Sequence, residues 1–282
     1  MVLFGDSGSA GHYLIGTVTY LLSIICGITP IFILRFLMLL FTCHDNLLEL
    51  PWREQGFEFA IVKSMGSLKK YYLDNSSCEV FFETGTGTGR TLRYALLSDQ
   101  FKKLYSSEIH PGTAQQAMRI FDKYDQVKIF QMDSVSAMKS VTNSIPQETS
   151  IFFFLDAHFP GELESGYKYV DNAANKITLP LEEELRLISE LRPNAEDIIV
   201  IDDLRLYEDG PFENGSLPAN FANIPVSWKS LDFVIDLFPT KTIERSYLDE
   251  GYLIIKPQFS EFSLKKTSVL FKLKIKIKSV FL

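Results

Sequence analysis

Cysteine is scarce in this chain. The three cysteines, Cys26, Cys43 and Cys78, form no CxxC pair and share no zinc-type spacing with histidine. An odd count gives no disulfide framework, so reduced thiols in a reducing compartment are expected. A basic surplus is missing as well. The net charge of -7 lacks the cationic face that phosphate backbones require, and no nucleic-acid partner is expected. Charge of either sign is nearly missing from residues 1–44, where only Asp6 and Arg35 carry it. No basic cluster precedes the apolar run in that stretch, which argues against a cleaved secretory leader.

What occupies the charge-poor stretch is an uncharged run from Tyr13 to Leu34, about 22 residues and long enough for a helix to cross a bilayer. Arg35 can snorkel to the interface, and Pro30 and Gly27 are tolerated in membrane helices. A membrane anchor is therefore expected from residues 1–44, with a helical arm packed on the domain or on a partner subunit as the alternative. Basic residues (Arg35, Arg53, Lys63, Lys69, Lys70) follow the run and none precedes it. A single-pass protein whose larger part faces the cytoplasm is expected, with a plainly cytoplasmic protein as the alternative.

The length of 282 residues suits one α/β domain with an appendage. Residues 45–77 read as a linker and helical lead-in, 78–257 as the domain, and 258–282 as a basic and apolar tail. Within the domain, short apolar runs such as Glu79–Glu83 and Ile151–Leu155 alternate with helix-period segments such as Thr113–Tyr124 and Leu181–Leu191. Such alternation predicts a doubly wound, mostly parallel sheet with helices on both faces. Thr242–Tyr247 and Tyr252–Ile255, joined by Asp249-Glu250-Gly251, predict a closing antiparallel hairpin.

The segment Glu83-Thr84-Gly85-Thr86-Gly87-Thr88-Gly89 follows a buried strand and precedes a helix. Glycines let the backbone turn sharply and approach a ligand. A G-x-G-x-x-G dinucleotide fingerprint does not fit: its last glycine would fall on Arg90 or on Leu92. Glu108 stands near the end of the second strand, nineteen residues after Gly89, where an acid can accept both hydroxyls of a ribose. Asp133 is expected to end the third strand. Leu155-Asp156-Ala157-His158 and Ile201-Asp202-Asp203 end the fourth and fifth, and ligands bind at the carboxyl ends of strands in such sheets.

The E-x-G-x-G-x-G segment resembles motif I of the class I S-adenosylmethionine-dependent methyltransferases, and the resemblance covers roughly residues 78–257. It implies a Rossmann-like methyltransferase sheet with S-adenosylmethionine as cosubstrate. Gly85, Gly87 and Gly89 would flank its methionine part, and Glu83 would orient the loop or bind the amino group. Glu108 would hold the ribose, and Asp133 would contact the adenine. F-L-D-A-H, then P-L-x-E-E, then I-D-D resembles the sugar O-methyltransferases and the related cephalosporin hydroxylase-like or rhamnosyl O-methyltransferase group. That likeness implies Mg²⁺ held by Asp156, Asp202 and Asp203, with His158 or Asp156 as the base. The function so implied is methyl transfer to a hydroxyl of a small-molecule or glycan acceptor. A protein, lipid or phenol acceptor and a non-catalytic, membrane-tethered module are the alternatives, and a homo-oligomer stays open.

Overall fold

The computed structural model describes residues 71–72, 76–157, 180–216 and 230–266. The apolar N-terminal segment lies outside them, and no helix among the described residues is long and apolar enough to cross a membrane. In chain order the elements begin with β1 (Tyr71–Tyr72), β2 (Val80–Thr84), α1 (Arg90–Ser98), β3 (Lys103–Ser107) and α2 (Pro111–Phe121). Then come β4 (Val127–Phe130), α3 (Ser134–Thr142), β5 (Ile151–Leu155), α4 (Leu181–Leu191) and β6 (Ile198–Ile201). A 3₁₀ turn (Leu204–Leu206), α5 (Asp232–Leu237), β7 (Lys241–Ser246), β8 (Tyr252–Pro257) and β9 (Lys265–Lys266) complete the series.

Seven strands form one sheet in the order β4-β3-β2-β5-β6-β8-β7. The first five are parallel, and β8 pairs antiparallel with both β6 and β7. This is the doubly wound, mostly parallel sheet with a closing antiparallel hairpin that the sequence predicts. β1 and β9 form a separate antiparallel pair.

The phenylalanine-rich strands sort their rings by the two-residue period of a strand. Phe81 and Phe152 stack at 5.9 Å on one face, where Phe101 and Phe262 close over them at 5.2 and 5.3 Å. Phe82 and Phe153 point to the other face and join Ala137, Met138 and Val141 of α3 and Leu185 and Ile188 of α4. Both faces are thus dry, which is why EVFFE and IFFFL read as continuous apolar runs. Phe262, in the tail expected to begin at 258, is fully buried against Phe152, and Lys256 Nζ donates to its carbonyl at 2.7 Å. Packing therefore continues past Pro257.

A buried ion pair ties the far ends of β5 and β6 together. Arg192 Nε and Nη2 donate to the two oxygens of Asp197 at 2.6 and 2.9 Å. The same guanidinium donates to the carbonyls of Ile145 and Thr149, and Asp197 accepts from the amide of Ile151. The arginine that ends α4 thus fixes where β5 and β6 begin.

Candidate active site

β2 is bordered by β3 on one side and β5 on the other, and the chain winds outward in both directions from it. The carboxyl end of β2 is therefore the switch point of the sheet, the place where open α/β sheets bind ligands. The glycine loop sits there.

Its three glycines have positive φ, +81° at Gly85, +49° at Gly87 and +71° at Gly89, a region other residues enter only with strain. Their surroundings differ. A Cβ at Gly85 would lie 2.8 Å from the Asp156 carbonyl oxygen, and one at Gly89 would lie 2.8 Å from the Phe121 ring. A Cβ at Gly87 would meet nothing within 4 Å. Gly85 and Gly89 are thus required by packing, while Gly87 faces open space at the tip.

Glu83 is buried and pairs in register with Ser106 of β3. Ser106 Oγ donates to Glu83 Oε1 at 2.7 Å. Burial pushes the Glu83 carboxyl up to about 8; the Ser106 hydrogen bond pulls it down, and the nearby Glu108 charge raises it further. Ser106 Oγ also lies 2.6 Å from Thr86 Oγ1 of the glycine loop.

Glu108 lies just past β3. Its Oε2 accepts from the Gly87 amide and its Oε1 from the His110 amide, both at 2.9 Å. Each oxygen keeps a second lone pair for a ligand hydroxyl. Asp133 does not end a strand: β4 stops at Phe130, and Asp133 caps α3, with Oδ1 accepting from the Ser136 amide at 2.8 Å. The expectation for its position is corrected, because an aspartate before a helix satisfies an orphan amide there. His110, which joins no cluster in the sequence, caps α2 in the same way through Nδ1.

Thr84 and two apolar side chains are not visible to motif reading. Thr84 Oγ1 accepts from the amides of Asp156 and Ala157 at 3.1 and 3.2 Å, fastening the end of β5 to the end of β2. Ile109 and Met132 stand exposed beside Glu108 and Asp133, Ile109 at 54%. The adjacency of apolar residue and acid was the available signal.

At the ends of β5 and β6 lies a group of acids. Asp156 is half-buried, while Glu184 of α4, Asp202 and Asp203 are buried. Burial first, then the charges of Asp202, Asp203, Glu83 and Glu184, push the Asp156 carboxyl well above the ordinary range. Burial and the Asp203 charge do the same to Asp202, with an opposing hydrogen bond from the Asp203 amide to its Oδ1. Tyr207 is buried among these acids and is also pushed up, mainly by burial.

The arrangement does not support Mg²⁺ at Asp156, Asp202 and Asp203. Among the described residues no group of three or more His, Cys, Asp or Glu is placed to hold a metal ion. The Oδ1 atom of Asp202 is engaged by the neighbouring amide, and Asp203 takes a left-handed turn, with φ +50°. The positive charge beside Asp203 is Arg205, whose Nε lies 3.7 Å from Oδ1 and whose Nη2 lies 3.9 Å from Glu250. His158 lies outside the described residues.

No family profile matches the chain, and no curated protein matches it. Solved structures do. The chain is similar to spermidine synthase from Thermotoga maritima, with 13% identity over 73% of this chain and 66% of that chain, TM-score 0.40. It thus spans just under two thirds of that protein. It is similar to a caffeoyl-CoA O-methyltransferase-like protein from Staphylococcus aureus, with 16% identity, 79% and 98% covered, TM-score 0.46. It is also similar to human methyltransferase-like protein 13 in complex with SAH, with 12% identity, 74% and 83% covered, TM-score 0.41. Class I S-adenosylmethionine-dependent methyltransferases are thus among the structures it resembles. The likeness is one of fold, and none of these proteins lends this chain its substrate.

Proposed function

We propose that this chain is an S-adenosylmethionine-dependent methyltransferase that modifies a hydroxyl, on a sugar of a glycolipid, polysaccharide or glycosylated metabolite. The supporting observation is the glycine loop at the switch point, with its tip amide bonded to Glu108. A ribose on Glu108, an adenine between Ile109 and Met132 near Asp133, and a methionine end along Gly85–Gly89 would fill the site in order.

Transfer is an in-line displacement. The acceptor oxygen bonds to the methyl carbon, the carbon–sulfur bond breaks, and S-adenosylhomocysteine leaves. The hydroxyl proton passes to a base. Asp156 is the described candidate, since a carboxylate pushed up by burial and neighbouring acids is a stronger base than an exposed one. His158 is the second candidate from the sequence. No step is routed through a metal. The choice of a sugar hydroxyl rests on the resemblance of the D-A-H and I-D-D segments.

We further propose that the apolar segment from Tyr13 onward anchors the chain with its catalytic domain facing the cytoplasm. Release from membranes by an alkaline wash would refute the anchor.

The test is turnover of S-adenosylmethionine with glycan, phenol and lipid acceptors, each with and without EDTA. Product from glycans that persists in EDTA supports the reading. Product from phenols alone refutes the acceptor class.

A further inference from the structure

We propose that Ser106 is a positioning residue, which sets the glycine loop through Thr86 for the cosubstrate; this rests on the methyltransferase reading. Ser106 is fully buried on β3, and its hydroxyl meets two others' atoms. Oγ donates to Glu83 Oε1 at 2.7 Å and lies 2.6 Å from Thr86 Oγ1. Ser106 thus links Thr86 to Glu83 through two side-chain hydrogen bonds, and all three side chains are buried.

The backbone repeats the connection. The Ser107 carbonyl accepts from the amides of Gly85 and Thr86 at 3.0 and 2.9 Å. Thr86 is thus fixed to β3 by side chain and main chain. The next residue, Gly87, is exposed, meets nothing on its own side, and gives its amide to Glu108. Thr86 is consequently the last fixed point before the tip. Removing the Ser106 hydroxyl leaves the buried Thr86 hydroxyl without this partner, and the adjacent tip shifts away from the position that presents its amide.

The test uses the full-length protein with Ser106→Ala, Thr86→Val and the double substitution. Each is titrated with S-adenosylmethionine, melted, and assayed for KM and kcat. Each single change is expected to weaken binding about tenfold and to raise KM while kcat stays within about twofold. The double change is expected to be no worse than either single one, because both break one chain. If Ser106→Ala fails to fold, Thr86→Val carries the same expectation. Wild-type affinity in the folded single variants, or losses that add in the double variant, overturns the role of Ser106. No binding by the wild-type protein overturns the methyltransferase reading itself, and this role with it.

Discussion

The amide of Gly87 donates to Oε2 of Glu108 at 2.9 Å across two loops that are twenty-one residues apart in sequence. One carboxylate thereby joins the tip of the glycine loop to the end of β3, and its other oxygen holds the His110 amide. Glu108→Ala is expected to weaken S-adenosylmethionine binding at least about tenfold, since it frees the tip and removes the carboxylate proposed to accept the ribose hydroxyls. Glu108→Gln is expected to fall between, because its amide nitrogen faces a backbone donor. Calorimetry at constant pH measures both, and unchanged affinity in Glu108→Ala would remove Glu108 from the site.

The three glycines are expected to differ under alanine substitution. Gly85→Ala adds a contact of 2.8 Å to the Asp156 carbonyl on top of left-handed strain, and neither backbone can yield easily. It is expected to cost roughly 3 kcal/mol or more. Gly87→Ala meets no atom and is expected to cost about 1 kcal/mol from strain alone. Urea unfolding of the two variants checks the order, and a reversed order would contradict the packing described.

Glu83 links stability to pH. Its carboxyl stands at about 8 in the folded chain against an ordinary 4.5. The folded state then binds more protons than the unfolded state between those values, so stability falls as pH rises through that window. The contribution is fully present below pH 4.5 and lost above pH 8, a change on the order of a few kcal/mol. Glu83→Gln is expected to flatten this slope. Melting curves from pH 5 to 9 measure it, and equal slopes in both proteins would contradict the assignment.

Arg192→Leu is expected to destabilise the fold by about 3–5 kcal/mol, because it strands the buried Asp197 carboxylate and the carbonyls of Ile145, Pro146 and Thr149. Denaturant unfolding measures the loss. A cost of under about 1 kcal/mol would show that the pair is replaceable.

The parallel sheet, its hairpin and the glycine loop are legible in the sequence because each depends on local pattern. EVFFE and IFFFL are dry on both faces, and D-E-G marks the turn between β7 and β8. Glu108 is legible because its position follows from the end of a strand. Thr84, Ser106 and Arg205 are not, because their roles depend on partners on other strands. Ser106 finds Glu83 only through the β2–β3 register, and Arg205 finds Asp203 and Glu250 only after the hairpin closes. Spacing alone likewise shows nothing of the guanidinium of Arg205 beside Asp203. Asp133 was misplaced by a local ambiguity, because an acid after a strand and an acid before a helix share one sequence.

Titration of the full-length protein with S-adenosylmethionine, beside Gly87→Val, tests the central claim most directly. The account predicts micromolar binding by the wild-type protein and its loss in the variant, whose branched side chain would enter the open space at the loop tip. A folded wild-type protein that binds no S-adenosylmethionine would contradict it.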